Sequence, residues 1–194
     1  MFRTFSTLVG AAALGGAVII TLNAQGTAQP PQAGAAATPP ADEHVSANPN
    51  YVSIHLELDV NRPAADVWKR IGKYCDIGEW FQVAAGCKIL SGTDNEVGAV
   101  RSVANEVLVG KTELSYTYTQ PVRAGRPYNL YHGTLEARPA TATTSKLLYT
   151  LVWDNSMLAD DAAKEKDKAS RTATFTRALQ NMKTIAEGGT LPPK

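Results

Sequence analysis

Few side chains in this sequence have the type and spacing that chemistry requires. The carboxylate best placed for proton transfer is Glu113, with Arg101 as its neighbour across a sheet. A general acid or base must face a pocket that moves its pKa toward the working pH. The other reading of Arg101 and Glu113 is a structural ion pair at the rim of the sheet. A larger set suits binding: Trp80, Tyr116, Tyr118, Tyr131, Tyr149 and Trp153. Tyr and Trp join a broad apolar face to a polar tip, which fits the wall of a pocket for an amphipathic ligand. Each of them can equally fill an ordinary core beneath a helix.

Other chemistries lack their residues. His55 and His132 take the polar phase of their strands beside Glu57 and Glu136, and His44 lies outside any such pattern. Without a His/Asp/Glu cluster there is no zinc or iron signature. No G-x-S-x-G elbow or Ser/His/Asp set appears. Gly10, Gly15 and Gly16 belong to an apolar leader and not to a phosphate loop. Neither a metal nor a cofactor is expected. Cys75 and Cys87 are the two cysteines, without a C-x-x-C spacing or further ligands. They read as a structural disulfide, worth around 3 kcal/mol by loop closure, with a metal or redox pair as the alternative.

The elements that would position these residues follow from periodicity. Tyr51–Val60 alternates apolar Val52, Ile54, Leu56, Leu58 and Val60 with polar partners, the pattern of a half-buried strand. Pro63 suits the first position of a helix bearing Val67, Trp68 and Ile71 on one face, with Trp68 turned to the core, and Gly72 stops it. A second short helix is expected over Cys75–Trp80. Strands are expected at Ala99–Val103, Glu106–Val109, Glu113–Gln120, Tyr128–Arg138 and Ser145–Asp154, with Gly110-Lys111 as a hairpin turn. Short connections make this an antiparallel meander. Phe175, Ala178, Leu179, Met182 and Ile185 form the stripe of a closing helix over about Ala159–Glu187.

Residues 1–28 read as a signal peptide, with Arg3 before an apolar stretch and small residues at Ala24 and Ala28 for cleavage; the alternative is an uncleaved leader, the one route to a membrane partner. Residues 29–50 read as a disordered Pro/Ala-rich linker, 51–188 as the folded domain and 189–194 as a disordered tail. Arg3 is the sole charge of the leader, so its removal leaves positive and negative charges equal in number. That balance argues against a polyanion partner such as nucleic acid. The mixed run from Asp160 to Lys168 reads as a solvated helix face.

Two sets of residues carry a family resemblance. One is a strand followed by Pro63-Ala64-Ala65-Asp66-Val67-Trp68 and Ile77-Gly78-Glu79-Trp80. The other is Val97-Gly98-Ala99-Val100-Arg101, Glu113-Leu114, Tyr131-His132-Gly133-Thr134-Leu135 and Val152-Trp153. Together they resemble the SRPBCC superfamily, in its polyketide cyclase/dehydrase and lipid-transport-like, START-like branch. The resemblance covers about Val52 to Glu187. It implies an α+β helix-grip fold: a curved antiparallel sheet, two short helices and a long C-terminal helix enclosing a cavity. It also implies an apolar or amphipathic ligand, lipid-like or aromatic, bound between sheet and helix. In such proteins the positions of Arg101 and Glu113 often approach the cavity, which adds both to the ligand-binding set. The expectation is an exported, periplasmic or secreted monomeric binding protein. The alternative is a cyclase- or dehydratase-like enzyme with Glu113 as acid/base.

Overall fold

The computed structural model describes residues 46–193. The elements run β1 (Tyr51–Val60), α1 (Ala64–Ile71), α2 (Ile77–Trp80), β2 (Ile89–Ser91), β3 (Val100–Arg101), β4 (Glu106–Lys111), β5 (Ser115–Thr119), β6 (Asn129–Pro139), β7 (Ser145–Asp154) and α3 (Asp161–Ala186). All seven strands join one antiparallel sheet in the order β1-β7-β6-β5-β4-β3-β2. From β1 at one edge the chain passes through α1 and α2 to β2 at the other edge. It then meanders back until β7 pairs with β1 over the whole register from Tyr51↔Asp154 to Val60↔Ser145. The helices belong to one face of this curved sheet, and the core lies between them and that face.

Period-2 patterning decides which residues turn inward. Ile54 and Val60 of β1, Leu135 and Ala137 of β6, and Leu147, Tyr149, Leu151 and Trp153 of β7 are buried. His55 lies on the outer face within 3.3 Å of Thr150, and the ring of His132 meets the Leu130 carbonyl at 2.9 Å. In α1, Val67 and Ile71 are buried, while Trp68 is only half-buried and leans on Tyr116. Pro63 precedes the first helical residue, and its carbonyl accepts the Val67 N–H at 3.0 Å.

The long α3 starts where Asp160 caps it, its carboxylate accepting the Ala163 N–H at 2.7 Å. Phe175, Ala178, Leu179, Met182 and Ile185 form its buried stripe. Gly188 adopts φ 92°, a left-handed conformation that costs glycine little, and the chain leaves the helix there. Residues 189–193, expected as a free tail, fold back instead. Leu191 packs against the core, and the Pro192 carbonyl accepts from Gln82 Nε2 at 2.7 Å. The end of the expected linker is also held, since Asn50 donates its N–H to Asp154 Oδ1 at 2.8 Å and its side-chain amide to Asn155 Oδ1 at 2.6 Å. The leader and residues 29–45 of the linker lie outside the described residues.

Cys75 and Cys87 are joined as a disulfide, with Cα atoms 5.3 Å apart, bracketing α2. The bond ties the segment that carries Trp80 to the residues entering β2. No helix among the described residues is long and apolar enough to cross a membrane.

Candidate functional site

The inner face of β5, β6 and β7 carries a row of buried tyrosines. Tyr116 and Tyr118 come from β5, Tyr131 from β6 and Tyr149 from β7. Their rings step across the sheet: Tyr116 to Tyr118 at 6.4 Å between centroids, then Tyr118 to Tyr131 at 6.2 Å. Tyr118 and Tyr149 share a hydrogen bond between hydroxyls at 2.9 Å. Gly133 makes this arrangement possible. A Cβ at that position would stand 2.4 Å from the Tyr118 ring, so only glycine lets the phenol lie across β6. Burial raises the pKa of Tyr116 and Tyr131, and moves those of Tyr118 and Tyr149 well above that of a free phenol. All four stay neutral and polar within an apolar enclosure.

Arg101 closes one end of the row. It is fully buried, with its guanidinium 4.3 Å from the centroid of Tyr74 and 4.8 Å from that of Tyr118. The expected neighbour Glu113 is not its partner. Glu106 is: Arg101 Nε donates to Glu106 Oε2 at 2.7 Å, and Arg101 Nη1 donates to the Tyr74 carbonyl at 2.6 Å. Burial pushes the Glu106 carboxyl up, against the pull of Arg101. Glu106 also accepts from Gln120 Nε2 at 2.9 Å, and Gln120 Oε1 accepts the Tyr128 hydroxyl at 2.6 Å. This chain of bonds leads from the buried cation toward the surface loop before β6.

Glu113 itself stands exposed in the turn between β4 and β5. The expected turn at Gly110-Lys111 is displaced because β4 continues through Lys111, with an irregular register between Leu108 and Gly110. The turn therefore falls on Thr112–Leu114 and carries Glu113 out of the sheet. Glu106 escaped notice in the sequence because both phases of β4 are apolar, with Leu108 inward and Val107 and Val109 on the other side. The shared phase of Glu106 and Leu108 was the available signal.

The other end of the row meets α3. Trp153 is fully buried and donates its indole N–H to Asp167 Oδ2 at 2.9 Å. Asp167 also accepts from Arg171 Nε at 3.0 Å. The Arg171 guanidinium lies 4.6 Å from the Tyr128 centroid, 4.9 Å from that of Trp153 and 5.2 Å from that of Tyr131. Asp167 belongs to the charged run that reads as a solvated face, yet it turns inward.

Trp80 completes the enclosure from α2. Its ring is fully buried and meets Tyr149 at 6.4 Å between centroids. The structure thus gathers Trp80, Arg101, Tyr116, Tyr118, Tyr131, Tyr149 and Trp153 in one interior, leaves Glu113 out, and adds Tyr74, Glu106, Asp167 and Arg171. Two polar tips there have no protein partner: the Tyr74 hydroxyl and the Trp80 indole N–H are buried without a hydrogen bond. Natural interiors rarely leave such groups unused.

Residues 51–187 match the family described as polyketide cyclase/dehydrase and lipid transport. The chain belongs to that family. Solved structures of similar fold include a Thermobifida fusca protein determined by solution NMR, with 20% identity and a TM-score of 0.58 over 73% of this chain and 99% of that one. The Streptomyces aromatase/cyclase ZhuI has 17% identity and a TM-score of 0.55 over 73% of this chain and all of its own. Norcoclaurine synthase from Thalictrum flavum has 12% identity and a TM-score of 0.57 over 75% of this chain and 99% of its own. At such identities the likeness establishes the helix-grip fold of this SRPBCC member. No curated protein matches the chain.

Proposed function

We propose that this cyclase/lipid-transport family member is an exported, monomeric carrier of an apolar or amphipathic small molecule, held between the inner sheet face and α3. One observation carries the reading: a row of neutral tyrosines whose enclosure also holds buried, unpartnered polar tips at Tyr74 and Trp80. A ligand with an apolar body and a few oxygens would supply acceptors to those donors and contact to the rings. Export is supported by the leader pattern of residues 1–28 and by the paired Cys75 and Cys87, since such bonds persist in oxidising compartments. On this reading residues 29–50 tether a domain that starts at β1.

The test is native mass spectrometry of protein purified from the envelope of its own host, followed by titration of delipidated protein with Nile red, a neutral apolar fluorophore. A co-purified adduct and saturable uptake are expected. Protein that is always empty and takes up no dye would overturn the reading. The enzyme alternative with Glu113 as acid/base gains no support from its place on an exposed turn.

A further inference from the structure

The seam between α2 and α3 holds a recess apart from the tyrosine row. Its volume is about 130 Å³, and its lining includes Trp80, Phe81 and Ala178 together with Thr174, Arg177 and Asn181. A cavity of about 150 Å³ lined by apolar groups accommodates a benzene ring, so the recess is the size of a single ring. Phe81 forms its aromatic part, and that ring meets the buried Trp80 ring edge-on at 5.9 Å between centroids.

Two observations give the recess a chemical preference. Arg177 is exposed at its lip and has no ion-pair or hydrogen-bond partner among the described residues. The acid nearest in sequence to Trp80, Glu79, is committed to Arg70 through two hydrogen bonds of 2.6 and 2.7 Å, so it does not cancel the Arg177 charge. The walls are also fixed in place, because Asn181 Nδ2 donates to the Trp80 carbonyl at 2.9 Å and locks α2 to α3.

We infer that this recess binds a small aromatic carboxylate, its ring against Phe81, which packs on Trp80, and its carboxylate on the Arg177 guanidinium. A guanidinium presents a planar fork of donors that matches a carboxylate, and it keeps its charge at any physiological pH. The site is separate from the interior proposed to hold the apolar ligand, and neither reading requires the other.

Benzoate titrated into isotope-labelled protein provides the test, read on the indole N–H resonances of the three tryptophans. The Trp80 resonance should shift saturably, more than those of Trp68 and Trp153. Arg177→Gln, at an exposed position, should leave the unfolding midpoint unchanged and weaken benzoate by about tenfold or more. Benzyl alcohol, which keeps the ring and lacks the charge, should bind more weakly than benzoate by a similar factor. No saturable shift at Trp80, or equal benzoate affinity in Arg177→Gln, would overturn the inference. Nile red separates the two sites: benzoate binding lost with dye uptake intact defeats this inference alone, and saturable benzoate binding without dye uptake upholds it while defeating the carrier reading.

Discussion

The indole N–H of Trp153, on the strand next to the sheet edge, is donated at 2.9 Å to Asp167 of α3. The same carboxylate holds Arg171, whose guanidinium covers the rings of Tyr128, Tyr131 and Trp153. One acidic side chain therefore fixes where the closing helix sits on the sheet, and so how much room remains between them.

Asp167→Ala should lower stability by about 1–3 kcal/mol, because it leaves a buried indole donor and a partly buried guanidinium unsatisfied. Asp167→Asn keeps an acceptor and should fall between the two. Urea unfolding followed by tryptophan fluorescence gives the comparison.

Glu106 and Arg101 form a buried ion pair. Removing one partner strands the other charge, so Glu106→Ala should cost about 3–5 kcal/mol. Replacing both, with Arg101→Met and Glu106→Leu, should recover most of that loss. A double-mutant cycle in denaturant checks the coupling, and additive single and double effects would refute it.

Alkaline titration should expose the buried phenols. The pKa values of Tyr74, Tyr116, Tyr118, Tyr131 and Tyr149 are all raised, with desolvation as the largest cause. In the unfolded chain these groups lose their protons near pH 10, while in the fold they keep them. The unfolded state then binds fewer protons, so their contribution to stability is complete below pH 10 and falls as pH rises above it. Tyrosinate absorbance from these five residues should appear together with loss of the near-UV dichroism. Their ionisation in a protein that remains folded would contradict the burial.

Breaking the Cys75–Cys87 bond should cost about 2–4 kcal/mol. Cys75→Ala with Cys87→Ala is the variant, and unfolding in urea with and without a reductant the measurement. Reductant should move the wild-type midpoint toward that of the double variant and leave the double variant unchanged.

Much of this architecture was legible in alternation and helical spacing. Ser145–Asp154 reads directly as a strand because Leu147, Tyr149, Leu151 and Trp153 alternate between clear breaks. The stripe from Phe175 to Ile185 likewise reads as one helix. The polar half of the site was less legible. Glu106 shares its phase with Leu108, but Val107 and Val109 are apolar too, so alternation gives no sign of which side is buried. Glu113 moved from strand to turn because β4 runs past the residues that resemble a turn. Asp167 sits in a run of charges whose mean polarity hides the one that faces inward. Such contacts depend on which strands become neighbours, a property that local pattern does not carry.

The register that joins β1 to β7 also bears on how this chain folds. Tyr51 pairs with Asp154 and Val60 with Ser145, so the first of the described strands must wait for the last before it has any partner in the sheet. Contacts between such distant residues bear the entropy of closing a long loop before they return any bonding energy, and chains built on them fold slowly. Until β7 forms, β1 is an unpaired strand with an apolar side, open to wrong partners. The meander from β2 to β7 can assemble from neighbours, and the arrival of β1 is then the step that commits the whole domain.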